Sequence, residues 1–110
     1  MIQRCILIII IFINIHFSSQ KILIPMDDNQ TNHLKAYGIA FSMLEINNKV
    51  DWLLNYRGGS FILDLSNFVK KQCLLKNIYY EELSIEEISI IYAMIEQENM
   101  ELVILDKMPK

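Results

Sequence analysis

The sequence predicts an α/β fold: a three-layer module on a mostly parallel sheet, in the order strand-helix-strand-helix-strand-helix-strand. Three observations carry that expectation. Apolar, β-branched runs alternate with stretches of helical periodicity all along the chain after residue 20. The runs are apolar at consecutive positions, as strands are when helices cover both faces of a sheet. The first two runs each end in a polar loop, with a helix-like stretch between them, as in a β-α-β unit.

The first twenty residues stand apart from that module. Arg4 gives a short basic start. Cys5 to Phe17 is a thirteen-residue apolar run broken only by Asn14 and His16, and Ser18-Ser19-Gln20 closes it. This is the layout of a secretory signal peptide. As a helix the run spans about 20 Å, short of the roughly 30 Å of bilayer hydrocarbon. The expectation is a signal peptide over residues 1–19 and an exported module, periplasmic or secreted, over residues 20–110. The alternative is that the same segment is kept as a membrane anchor.

Cleavage ahead of Gln20 leaves 9 basic residues against 13 acidic, a net charge of −4. That balance, without a basic stripe, argues against a nucleic-acid partner. Of the two cysteines, Cys5 lies in the leader, so Cys73 has no partner for an internal disulfide. Its neighbours Leu74 and Leu75 read as part of a buried helical segment.

The elements follow in order. The first strand is Lys21–Met26. A helix runs from Thr31 to Asn47, where Leu34, Tyr37, Phe41 and Leu44 fall at helical spacing. Gly38 on that face permits close approach to the sheet, Asp28, Asn29 or Thr31 supplies the N-cap, and Asn47-Asn48 offers a left-handed stop. The second strand is Val50–Tyr56. Arg57-Gly58-Gly59-Ser60 then leads into a helix from Ile62 to Lys76, with Ser60 as its cap, Leu65, Phe68, Val69 and Cys73 as its stripe, and Asn77 as its end. Ile78-Tyr79-Tyr80 is a short strand of β-formers. The third helix has the clearest start, a capping box of Ser84 and Glu87 with Leu83 and Ile88 as a hydrophobic staple. Met100 to Leu105 is the fourth strand. The chain then stops at Lys107-Met108-Pro109-Lys110, before any covering helix. Either four strands and three helices form a minimal sheet, or the sheet is incomplete and the chain is the amino-terminal part of a longer protein; the apolar edge that an incomplete sheet leaves favours the second.

In a right-handed β-α-β unit both polar loops open at the carboxyl edge of the sheet, where open α/β folds bind ligands. The candidate ligand-binding residues are Asp27, Asp28, His33, Asn55, Arg57, Gly58, Gly59 and Ser60. Asp27, Asp28 and His33 carry groups that hold a cation or move protons. Neighbouring acids at a strand end diverge, however, and capping is their plainer role. Arg57 can fork onto a carboxylate or phosphate, and the glycines free backbone N–H groups beside a helix start. The plainer role there is a tight turn. The ligand class such groups suit is small and anionic or amino-acid-like. No metal, cofactor or catalytic residue is assigned: the sequence has no phosphate loop, no G-x-S-x-G elbow, no HExxH motif and no paired-Cys site.

The stretches KILIPMDDNQTNHLKAYGIAF and VDWLLNYRGGSF resemble the start of a group of exported bacterial proteins labelled asparagine synthetase B, over most of residues 20–110. The resemblance implies an amino-terminal segment leading into a longer chain. The label implies a glutamine-hydrolysing asparagine synthetase, whose catalytic motifs find no positions here. Residue 2 is Ile2 where those enzymes have a nucleophilic Cys. Arg57-Gly58-Gly59-Ser60-Phe61-Ile62 lacks the first Ser and the later Asp-Ser of their S-G-G-x-D-S loop. The strand-loop-helix pattern is also similar to Rossmann/flavodoxin-like and class I amidotransferase-like sheets. Three functional expectations follow. One is a ligand-binding α/β module without a complete active site of its own. Another is part of an amidotransferase-like or asparagine synthetase-type enzyme whose motifs lie in other sequence. The last is a small membrane-anchored interaction protein.

Overall fold

The computed structural model describes residues 21–106. The expected leader at residues 1–19, Gln20 and the last four residues lie outside the described residues. The elements are β1 (Lys21–Ile24), α1 (His33–Glu45), β2 (Val50–Leu53), β3 (Ser60–Asp64), α2 (Asn67–Leu75), β4 (Glu81–Leu83), α3 (Ile85–Gln97) and β5 (Leu102–Leu105). The strands form one sheet in the order β4-β1-β3-β2-β5, and every neighbouring pair is antiparallel. The first six elements have the β-α-β-β-α-β order of a ferredoxin-like arrangement, in which each β-α-β unit is split by another strand. Helix α3 and β5 extend it beyond β2.

This corrects the expected mostly parallel sheet, whether Rossmann/flavodoxin-like or amidotransferase-like. The difference lies in one hairpin. Residues 60–64, expected as a turn and the start of a helix, are β3, paired with β2 from Val50↔Leu63 to Leu53↔Ser60. An unbroken apolar run such as Phe61-Ile62-Leu63 has no period of its own and reads equally as buried strand or helix start. The hairpin sends β3 back between β1 and β2, which run the same way and never touch as neighbours. Consecutive apolar residues in these strands signal coverage of both faces, and an antiparallel sheet obtains that coverage here. Ile22, Ile24, Val50, Phe61 and Leu63 face α1 and α2. Leu23, Leu53, Ile62 and Leu83 face Ile91 and Ile95 of α3.

Several local expectations shift. Helix α1 is capped by Asn32, whose side chain accepts from the Lys35 N–H at 3.0 Å. It buries Ala36, Ile39, Ala40, Met43 and Leu44, so its apolar face is turned from the expected stripe and Leu34 is exposed. Gly38 meets open space, and the close approach to the sheet falls to Ala36 and Ala40 instead. Helix α2 starts at Ser66, not Ser60: its hydroxyl accepts from the Val69 N–H at 3.1 Å. Phe68 is exposed, and the third expected strand moves from Ile78–Tyr80 to Glu81–Leu83. Helix α3 has the reciprocal capping box of Ser84 and Glu87.

The three helices among the described residues end alike. Asn47, Asn77 and Asn99 sit at φ of +64°, +56° and +52°. The next residue then donates its N–H back into the last turn: Asn48 to Met43, Ile78 to Cys73 and Met100 to Ile95, at 2.8–3.0 Å. This is the Schellman geometry, and asparagine is the residue after glycine that best tolerates it.

Candidate functional site

Because β1 and β2 are co-directional, the loops that follow them emerge at one edge of the sheet. The antiparallel β4 begins at the same edge, since Glu81 pairs with Leu23. Arg57 joins all three. Its Nε donates to Asp27 Oδ2 at 2.7 Å, and its Nη1 donates to Glu81 Oε2 and Oε1 at 2.9 and 3.0 Å. The Tyr79 hydroxyl donates to the same Glu81 carboxylate at 2.8 Å, and Asp27 Oδ1 accepts from the Asn29 N–H at 3.0 Å.

The hydrogen bond from Arg57 holds the Asp27 carboxyl below its ordinary value, against a smaller opposing effect of burial. Partial burial works to lower the Arg57 pKa, but hydrogen bonds and charge from Asp27 and Glu81 together outweigh it and raise it. The hydrogen bond to Glu81 raises the Tyr79 hydroxyl. One cation between two carboxylates leaves the cluster with a net charge of −1, which disfavours an added anion.

The backbone is shaped to bring these groups together. Arg57, Gly58 and Gly59 have φ of +44°, +81° and +96°. A Cβ on Gly58 would run into the Met26 carbonyl, so only glycine allows the two loops to touch. At that contact the Met26 N–H donates to the Arg57 carbonyl at 3.1 Å. His33 Nε2 donates to the carbonyls of Met26 and Asp27 at 3.0 and 3.2 Å, which removes that nitrogen from metal binding or proton transfer. Ser60 Oγ donates to the Tyr56 carbonyl at 3.0 Å. Asn55 turns away to β5, where its Oδ1 accepts from the Glu101 N–H at 2.9 Å, and Asp28 is exposed. Of the eight candidates, then, Asp27, Arg57 and Gly58 are brought into one contact, with His33 on the same carbonyls. Asp28 and Asn55 do not join it.

Sequence reasoning missed Glu81, Tyr79 and Gln30. Gln30 is buried, donates to the carbonyls of Pro25 and Tyr79 at 2.9 and 3.0 Å, and accepts from the Tyr79 N–H at 3.0 Å. Nothing local marks a glutamine for that role. Glu81 followed the expected strand Ile78–Tyr80, where it read as a solvated strand end.

Other reactive groups are also occupied. Burial pushes the Cys73 thiol up to about 11. Across the α3 face the Tyr92 hydroxyl donates to Asp51, and burial first, then Asp51, raises the tyrosine. Trp52 stacks on Phe61 at 5.6 Å, meets Tyr37 edge-on, and donates its Nε1–H to the Gly59 carbonyl at 3.0 Å. Among the described residues no group of three acids, histidines or cysteines is placed to hold a metal, and no helix is long and apolar enough to cross a membrane.

The far edge is different. In β5, Val103 is 38% exposed and Ile104 60% exposed. Comparison with family models, with curated proteins and with solved structures finds no match to the chain.

Proposed function

We propose that residues 21–106 form a binding module that works through an open strand edge, within an exported protein similar to those labelled asparagine synthetase B. The observation that supports this is β5. The Leu54 N–H donates to the Glu101 carbonyl at 3.1 Å, and the β2–β5 register continues through Trp52↔Val103 and Val50↔Leu105. Antiparallel alternation therefore turns Val103 and Leu105 toward β2 and leaves the N–H and C=O groups of Leu102 and Ile104 pointing outward. An apolar strand with outward peptide groups is a template for strand addition. The loop cluster, by contrast, has its polar groups engaged with one another.

The test is a titration of the isotope-labelled chain with a soluble peptide of alternating valine and threonine flanked by lysines. Saturable shifts centred on Leu102 and Ile104 are expected. Shifts absent there at every peptide concentration would overturn the reading.

A second reading keeps the loop edge as a small-molecule site. The net charge of Asp27, Arg57 and Glu81 suits the ammonium group of an amino-acid-like ligand better than a free anion. Saturable shifts at Asp27 and Glu81 with L-asparagine, but none with inorganic phosphate, would support it. A synthetase-type or amidotransferase-like enzyme would need catalytic groups from outside residues 21–106.

A further inference from the structure

The partner of an open strand edge is set by what its backbone and flanking charges can match. We propose that β5 pairs with β5 of a second copy of this chain, antiparallel and centred on Ile104, to join two sheets into one. This rests on the strand-edge reading above and names its occupant.

The outward peptide groups decide the possible registers. Only residues whose N–H and C=O point away from β2 can exchange hydrogen bonds with a second strand, and in β5 these are Leu102 and Ile104, with Asp106 next in the alternation. A two-fold axis between Val103 and Ile104 would set outward groups against groups already bonded to β2, and Glu101 against Asp106, two like charges. An axis through Val103 would bring Asp106 opposite Met100, whose N–H is already bonded to the Ile95 carbonyl at 2.9 Å. An axis through Ile104 meets neither obstacle. Ile104 then faces Ile104 of the second copy, Leu102 faces Asp106, and Val103 faces Leu105. The exposed side chains of Val103 and Ile104 gain apolar neighbours on both faces of the sheet.

The opposite edge does not offer the same pairing. There β4 is Glu81-Glu82-Leu83, and self-pairing would crowd carboxylates of both copies. A four-residue strand buries little area, so the dimer is a weak, concentration-dependent one.

The experiment is disulfide trapping in the full chain with Cys5→Ser, where Cys73 is fully buried and does not compete. Ile104→Cys is expected to form a covalent dimer under mild oxidation, because residue 104 meets itself across the axis. Val103→Cys is expected to cross-link at least tenfold more slowly. Faster trapping at 103 than at 104 would overturn the register. Absence of trapping at both positions, with the parent chain monomeric in sedimentation at every concentration, would overturn the second copy as partner. If the valine-threonine peptide still bound β5 in that case, the strand-edge reading would stand and only its occupant would fall. Ile104→Lys gives a folding-independent control: the residue is exposed, so the variant is expected to keep its fold and its circular dichroism while losing self-association.

Discussion

The two edges of this sheet are built to opposite rules. At the β4 edge, acids crowd the strand and are held by bases. Arg57 takes Glu81 and Asp27, and Lys70 takes Glu82 at 3.3 Å. At the β5 edge the side chains of residues 102–105 are all apolar. Charge on an edge prevents pairing with another strand, and its absence invites it. A sheet with one guarded edge and one open edge can grow in one direction only. Two of the polar residues that look most like chemistry in the sequence, Asp27 and Arg57, are engaged with each other and, through Arg57, with Glu81 on the guarded edge.

Substitutions on the guarded side should therefore cost stability, and those on the open side association. The largest effect is expected from Gly58→Ala, which combines a left-handed backbone with a collision against the Met26 carbonyl. A loss of about 2–4 kcal/mol should be seen in denaturant unfolding. Gln30→Ala leaves the buried Pro25 carbonyl and the part-buried Tyr79 backbone groups unpaired, and should lose about 1–3 kcal/mol in the same measurement. Arg57→Ala removes charged hydrogen bonds at a side chain 24% exposed, so solvent screening reduces its expected cost to about 1–2 kcal/mol. Ile104→Lys should change stability by no more than about 0.5 kcal/mol. If it destabilised as much as Arg57→Ala, the two edges would not differ in the way described.

Acid offers a finer comparison. The folded-state pKa of Asp27 lies below its ordinary 3.8, so its ion pair stabilises the fold fully above that value and is lost as pH falls through the lower one. The stability difference between the parent and Asp27→Asn should shrink below about pH 4 as the carboxylate takes up its proton. A difference that held constant across that range would remove Asp27 from the guarded edge's electrostatics.

The parts of the fold legible in the sequence are those fixed by neighbours along the chain. Ser84 and Glu87 announce the start of α3 because the capping box is complete within four residues. Asn47 and Asn77 announce helix ends because a left-handed residue is a local requirement. What could not be read that way depended on partners far off. Phe61-Ile62-Leu63 becomes strand only by lying between β1 and β2, and nearby Leu65, Val69 and Cys73 extend a helical stripe that draws the reading the wrong way. The Gly58-Gly59 pair was the available signal for a hairpin. A strand-to-helix turn uses glycine equally well, so the pair alone did not decide. For the loop cluster, Asp27 and Arg57 were visible as polar residues at loop positions. Their engagement by each other and by Glu81 was not, because it spans 30 and 24 residues.

The strand order also governs when the protein can fold. The first strand, β1, has both its neighbours later in the chain, β3 starting at Ser60 and β4 ending at Leu83. Among the described strands, the β2–β3 hairpin is the one pairing of neighbours in sequence, and every other pairing waits for a distant segment to arrive and close a long loop. During synthesis β1 therefore stays unpaired until Ser60–Asp64 has emerged, and the two outer strands, β4 and β5, join last.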